Sequence, residues 1–454
     1  MHLRRRTFAT LVLMLCAIAA VSPQSSSRSD PVVTTNGTQA RPLDEATRQA
    51  PPPMWTERLL ATVPKGLSAL PDPWWGWISI TPDLSGLAYR VAVRSGNRGA
   101  EAIVSGNRPG ADFKHAFAPV LSPDGSRLAH LAGVPVTAVW PSSRDGTSLA
   151  VGNVPRVFLV LGEAKIQVQH TDVTDFGEDL VPVFSPNGRK LAFKAQRPGQ
   201  QWAIGVIDFD EGPGPVGEAS VKWGPEFAGG ADPPSWSPDS THVVYAAAHG
   251  PTEWVVVTGT EPSPPYADAI TNHVIAFRSD GTAAYKAKQT GKWFIVVGGE
   301  RQPSFDAVSA PFFRPDGTLV YGASEGGKHF VVMGQSRSEL PHAAEGVASS
   351  ANGQRVTAWH REDDPAKRGK RRVVINGQAG PPFDAVWRPA IDPESGAYAY
   401  VGRNGRKFQV VTPLGISRTY DGVLWRPWIR GDEGVAGYAA LLKDQLWWKV
   451  DRLR

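Results

Sequence analysis

The chain has 454 residues, of which 41% are hydrophobic and 20% charged, enough apolar material for a large folded core. Its formal charge is +5, and Arg4, Arg5 and Arg6 at the extreme N-terminus supply much of that excess, so no strong pull on nucleic acid is implied. The single cysteine, Cys16, excludes an internal disulfide and a cysteine-ligated zinc site.

Residues 1–22 read as an export signal. A basic head precedes an apolar stretch from Leu11 to Val21, which is too short to span a bilayer comfortably, and Ala17-Ile18-Ala19 is a small-residue cleavage pattern. Arg5-Arg6-Thr7-Phe8 also fits a twin-arginine signal, so both export routes stay open. Cys16 raises lipid attachment, but Leu15 is larger than the residue such sites carry before the cysteine. No membrane span is expected in the mature chain, and the expected location is the periplasm or the outside of the cell. Residues 23–53, rich in Ser, Thr, Pro and Gln, form a flexible tether, and the folded domain occupies residues 54–454.

From about residue 72 one phrase recurs. A clear copy runs Phe313-Arg314-Pro315-Asp316-Gly317, then Leu319-Val320-Tyr321, then Gly327-Lys328-His329-Phe330-Val331-Val332. The copy before it begins at Phe277, a step of 36 residues. Other turns are Ser122-Pro123-Asp124-Gly125, Ser185-Pro186-Asn187-Gly188 and Ser237-Pro238-Asp239. Pro presets the first corner, Asp or Asn bonds its own backbone two residues on, and Gly takes the positive φ. An aromatic or His follows each turn: Tyr89, His130, Phe193, Tyr245, Tyr285, Tyr321, Trp359, Tyr400 and Tyr438, making nine units. A hairpin then leads into a continuous apolar run such as Phe294-Ile295-Val296-Val297, which calls for burial on both faces. Many units close on a phrase such as Phe305-Asp306-Ala307-Val308.

These residues resemble the WD40-like repeats of the propeller domain of the TolB family, over nearly all of residues 72–454. The resemblance implies an all-β propeller of four-stranded blades and leaves the function open. TolB proteins carry an α/β domain ahead of the propeller, where this sequence has only the tether. The last unit offers two clear strands, so closure with the first unit's hairpin predicts eight blades, with seven and nine as alternatives, and places Trp447 and Trp448 in the joint.

No motif assembles an active site. Gly322-Ala323-Ser324-Glu325-Gly326 spells a nucleophile elbow but falls in a hairpin slot rather than between a strand and a helix. The basic tract Lys367-Arg368-Gly369-Lys370-Arg371-Arg372 follows Glu362, Asp363 and Asp364 and reads as a solvated loop. Arg430-Gly431-Asp432 occupies a turn position, and Asp208 and Asp210 read as a polar strand edge. No His pair has metal-ligand spacing, and no cofactor is expected. Two insertions break the period, at about 133–153 with Trp140, Arg144 and Asp145, and at about 209–234 with Trp223 and Phe227. Insertions in repeat folds map to loops, which makes these five residues the candidate binding contacts.

The expected function is a monomeric, non-catalytic binding or scaffold protein that engages a protein or small ligand in the cell envelope, with no nucleic acid partner. The alternative is a hydrolase or lyase acting on a polysaccharide or lactone-type substrate at the channel mouth, with residues that converge only in space.

Overall fold

A strand that alternates, followed by one that is apolar throughout, gives a sheet with two faces to cover. The computed structural model describes residues 56–453, except 72–76, 94–98, 118, 142–148, 169–180, 200, 212–216, 251, 271–274, 368 and 425–426. These form nine antiparallel sheets, the blades of a propeller. Blade five shows the plan. Its first strand is split into Asp268–Ile270 and Ala276–Phe277, and both pieces pair with Ala283–Gln289, which pairs with Lys292–Val297 and then with the short edge strand Glu300–Arg301. First strands of neighbouring blades touch, as Ile78–Ile80 does Val120–Leu121 and Ala276–Phe277 does Phe312–Phe313, so these strands gather about the axis.

Apolar clusters run from each blade to the next and bring the ring back to its start. Ala88 and Ile103 of blade one meet Ala116 and Leu121 of blade two, and Leu131 and Leu159 of blade two meet Phe193 of blade three. The series continues through blades four to eight. Tyr420 and Tyr438 of blade nine then join Val401 and Phe408 of blade eight. Leu441, Leu446 and Trp448 finally pack on Tyr89 and Val104 of blade one, so no blade keeps an uncovered face.

The count of eight blades is therefore corrected to nine. The error lay in what the last unit borrows. It does not share the first unit's hairpin, because that unit is a complete blade with its own first strand, Leu67–Ala69 and Ile78–Ile80. The borrowed element is one strand further upstream, Arg58–Thr62, which pairs with Gln445–Arg452 and sets Arg58 opposite Trp448 and Leu59 opposite Trp447. That strand lies before the first copy of the repeat phrase, so the phrase cannot reveal it.

The recurring turn is built on buried hydroxyls. Ser237, fully buried, donates to Asp239 Oδ1 (2.5 Å) and accepts from the His242 amide (3.2 Å), while the same carboxylate oxygen accepts from the Thr241 amide (3.0 Å). Thr81, Ser122, Ser185 and Ser350 repeat this pattern with Asp83, Asp124, Asn187 and Asn352. The hydrogen bond from Ser122, with those from Ser126, pulls Asp124 down to about 2. In blades five and six an arginine replaces the hydroxyl and pairs with the turn aspartate, Arg278 with Asp280 (2.6 Å) and Arg314 with Asp316 (3.0 Å). The turns also touch in series: Gly281, at φ +86°, faces Asp239 and His242 of blade four, and Gly353 faces Arg314 of blade six.

A second device works at the opposite end of the blades. Lys292 in the hairpin of blade five holds Asp306 (2.6 Å), whose other oxygen accepts the Gly326 amide from the hairpin of blade six (2.8 Å). Lys370 and the Gly405 amide hold Asp384 likewise, at 2.7 and 2.6 Å. Lys407 and the Lys443 amide hold Asp421, at 2.5 and 2.8 Å. The Gly-Lys and Phe/Tyr-Asp phrases are thus two halves of a clip between adjacent blades.

Closure makes a direct prediction. A chain beginning at residue 64 lacks Arg58–Thr62 and exposes the edge of Gln445–Arg452. Its thermal midpoint should fall by several degrees and it should self-associate with rising concentration in sedimentation runs; unchanged melting would refute the clasp.

Candidate functional site

The aromatic after each turn faces the preceding blade. The Tyr245 hydroxyl lies against Gly224 of blade three, and a Cβ on Gly380 of blade seven would strike the Tyr400 hydroxyl, so the Gly380 position excludes a side chain. Tyr89, Tyr245, Tyr321 and Tyr400 are all buried, and their hydroxyls have no hydrogen-bond partner. Burial alone pushes Tyr89 and Tyr321 up to about 12. Tyr438 differs: its hydroxyl donates to Asp451 (2.8 Å) and meets that of Tyr420 (3.1 Å). His130 fills the same slot in blade two, edge-on to Phe113 with ring centres 5.5 Å apart, and burial pushes it down to about 4.

The next residue along the strand faces the other way. Three blades carry a cation there: Arg90, Lys194 and Lys286. Arg90 is answered within its own blade by Glu101, at 2.9 Å. Lys194 lies over Trp202, 4.6 Å from the ring centre. Lys286 lies over Trp293 at 5.1 Å. In the register of the blades Glu101 stands opposite Ala92, and Trp293 opposite Lys288, so blade five has an indole where blade one has the carboxylate.

Lys286 also feels charges from distant blades. Burial holds it below the usual lysine range, repulsion from Arg388 of blade eight adds to this, and Asp268 and Glu345 oppose it. Arg388 is lowered by burial and by Arg361, and is likewise opposed by Glu345. Arg361 and Glu345 are a tight pair within blade seven, at 2.7 and 2.8 Å. Arg388 sits between the halves of its split first strand, 6.0 Å from the centre of Trp359. Burial raises Asp268 despite Lys288 and Lys286 beside it. Blades five, seven and eight thus bring charges into one electrostatic neighbourhood. Lys286, Lys288, Arg361 and Arg388 are thus the charged neighbours of Asp268 and Glu345.

The residues singled out from sequence lie elsewhere. Trp223 is in strand Val221–Trp223, the fourth strand of blade three, edge-on to Phe193 at 5.6 Å and beneath the Arg197 guanidinium at 4.0 Å. Phe227 is buried and bridges to Trp202. The second insertion thus supplies a blade edge. The first insertion extends one hairpin: Leu128–Pro141 pairs with Leu149–Leu161 out to Pro141 opposite Leu149. Trp140 lies on this ribbon, opposite Ala150. Arg144 and Asp145 lie outside the described residues.

Of the motifs, Ser324 is on strand Leu319–Glu325, where its Oγ meets His329 Nδ1 at 2.8 Å. The Gly326 amide beside it is taken by Asp306, so the segment is a hairpin and not an elbow. The basic tract is answered by acids: Lys370 by Asp384 (2.7 Å), Arg371 by Asp363 (3.4 Å) and Arg372 by Glu362 (2.6 Å). Arg430 pairs with Asp432 (3.4 Å) and Glu433 (3.1 Å), and Gly431 packs against Asp392 in the ring of turns. Asp208 and Asp210 pair with Lys190 (3.7 Å) and Arg189 (3.3 Å). Among the described residues no three His, Cys, Asp or Glu side chains gather as metal ligands, and no helix is long and apolar enough to cross a membrane.

The fold and its channel define the class, a nine-bladed β-propeller protein. No protein-family model matches the chain, and no curated protein matches it. Among solved structures it is similar to TolB from Acinetobacter baumannii, at 15% identity over 63% of this chain and 77% of that one, with a TM-score of 0.30. It is similar to the β-propeller domain of the Trilobed protease from Pyrococcus furiosus at 10% identity, over 60% and 94% of the two chains, with a TM-score of 0.36. The Dos1 propeller shares 10% identity over 73% and 92%, also with a TM-score of 0.36.

Two predictions follow from the aromatic slot. Tyr321→Phe removes an unsatisfied hydroxyl and should leave stability unchanged or raise it by up to about 1 kcal/mol, whereas Tyr438→Phe should cost about 1–2 kcal/mol in urea unfolding. Equal losses at both sites would show that the two slots do not differ. For His130, the folded value of about 4 lies below the unfolded 6.5, so between these pH values the unfolded chain binds more protons and stability falls as pH is lowered. The difference should be on the order of 2 kcal/mol between pH 7 and pH 4.5, and His130→Phe should flatten it.

Proposed function

We propose that the chain is an exported, non-catalytic binding platform of the cell envelope, which takes a protein or small ligand at the mouth of its channel. What supports binding is the convergence of Lys286, Arg361, Glu345 and Arg388 from blades five, seven and eight. Arg361 and Glu345 are also paired with each other inside blade seven. What supports export is the leader at residues 1–22 and the tether at residues 23–53. The propeller domain, residues 54–454, would then stand clear of any membrane surface to which the leader had delivered it.

The test uses the full chain with a C-terminal tag. It should be recovered from the periplasmic or extracellular fraction with the leader removed, and should retain a partner from envelope extract that Arg388→Glu loses. Recovery from the cytoplasm with an intact N-terminus would refute export; a partner held equally by the variant would refute the channel as the site.

One observation favours the alternative of a hydrolase, the contact between Ser324 Oγ and His329. A serine so placed gains a base for attack on an ester or lactone. On that reading the protein hydrolyses an activated ester and Ser324→Ala abolishes the reaction. The platform reading expects no turnover above background in either form.

A further inference from the structure

The face that carries the turns has a cavity of about 460 Å³ between blades seven and eight. Small-ligand pockets run from about 300 to 1,000 Å³, so its size suits a small molecule. The turn of blade seven forms one wall, Asn376 at the next turn of the same blade a second, and Glu394 and Gly396 in the turn of blade eight a third. Among the described residues that line it, only Val356 has an apolar side chain.

The turns of other blades serve as controls. The fifth residue after the buried hydroxyl donates its amide back to that hydroxyl: Arg127 to Ser122 (3.0 Å), Lys190 to Ser185 (2.9 Å) and Arg355 to Ser350 (3.0 Å). In the first two cases the fold itself uses the cationic side chain. Arg127 lies over the Phe209 ring at 4.5 Å, and Lys190 pairs with Asp208 at 3.7 Å. Arg355 reaches across to Gly396 of blade eight, and among the described residues its guanidinium has no hydrogen bond and no ion pair.

A second group points to the same spot. Thr357 lines the cavity and is only 2% exposed, yet its hydroxyl has no hydrogen-bond partner among the described residues. A buried hydroxyl left so costs stability and returns nothing to the fold. Gly396, at φ +71°, is required by its backbone, and the side chain it lacks leaves a space. The point where its Cβ would stand is 3.4 Å from Thr357 Oγ1 and 3.5 Å from Arg355 Nη1, so both groups converge there. Further polar atoms around the cavity are only half engaged. Gln354 accepts from Asn352 through Oε1 (3.2 Å) and keeps its amide nitrogen, and Asn376 accepts the Ala358 amide through Oδ1 (2.8 Å) and keeps its own. Glu394 gives Oε1 to the Ala351 amide (2.5 Å) and keeps Oε2.

We propose that this cavity binds a hydroxyl-rich ligand, a sugar ring. The Arg355 guanidinium and the Gln354 and Asn376 amides donate to its oxygens, and Thr357 and Glu394 accept from its hydroxyls. A sugar hydroxyl both donates and accepts, which this mixed set of groups requires. The lining carries one cation and one anion, so it calls for no net charge on the ligand, and its polar walls disfavour an apolar one. A small zwitterion would engage Arg355 and Glu394 but leave Thr357 and the amides idle. The site shares no residue with the channel mouth, so either reading can fail while the other stands.

The experiment titrates the purified full chain with glucose, with N-acetylglucosamine and with glycine, read by calorimetry and by thermal midpoint. Saturable binding of at least one sugar in the millimolar range or tighter is expected, with none of glycine. It should weaken at least about tenfold in Arg355→Ala and stay unchanged in Lys328→Ala, an exposed lysine on blade six. Thr357→Val is the deciding variant, because it keeps the shape of the side chain and gives up a hydroxyl that bonds to nothing in the fold. Its thermal midpoint should hold or rise while sugar binding weakens about threefold or more, a split that a purely structural role would not produce. No saturable response to either sugar, a response to glycine alone, or sugar binding undiminished in Arg355→Ala or in Thr357→Val overturns the proposal.

Discussion

Every blade of this protein has two apolar faces and can fold only if both are covered. Tyr245, Ala247 and Val255 are buried against blade three, while Val244, Ala246 and Val256, on the same two strands, are buried against blade five. A linear stack would satisfy all such blades except those at its ends. The ring satisfies them all, but only because Arg58–Thr62 completes the sheet of Gln445–Arg452 and lets Trp448 and Leu446 seal the face of blade one. The remaining features, from the channel to the ring of turns, exist because that joint closes.

The polar residues of the repeat divide into two structural systems. One end of each blade is fixed by hydroxyl and carboxylate groups inside a tight turn, as in Ser237 with Asp239. The other end is fixed by a lysine and a backbone amide that share one aspartate between adjacent hairpins, as at Asp306. Such groups are shared between blades and fold with them. Lys286, over Trp293, belongs to neither system.

Much of the fold was legible because the turn phrase states its own physics. Pro, Asp and Gly dictate a corner, the apolar run dictates a doubly buried strand, and nine aromatics at one spacing dictate a repeat. The number of blades was not legible, since the closing strand Arg58–Thr62 carries no turn phrase and reads as ordinary sequence. The second insertion, read as a loop, places Trp223 in the edge strand of blade three and Phe227 in a bridge to Trp202. The channel residues were hidden for the opposite reason. Lys286 and Arg388 lie 102 positions apart in sequence, and only the curvature of the ring brings their charges together. A faint signal existed in Lys286 itself, a cation on a strand where Ala246 and Ala439 hold the same place, and in the phrase Trp387-Arg388-Pro389, echoed by Trp425-Arg426-Pro427.

The joint has a consequence for geometry outside the ring. Arg58 lies opposite Trp448, so the first and last strands of the described residues run side by side at the outer edge of one blade. A partner that covered this edge would meet both strands at once, away from the first strands that gather about the axis.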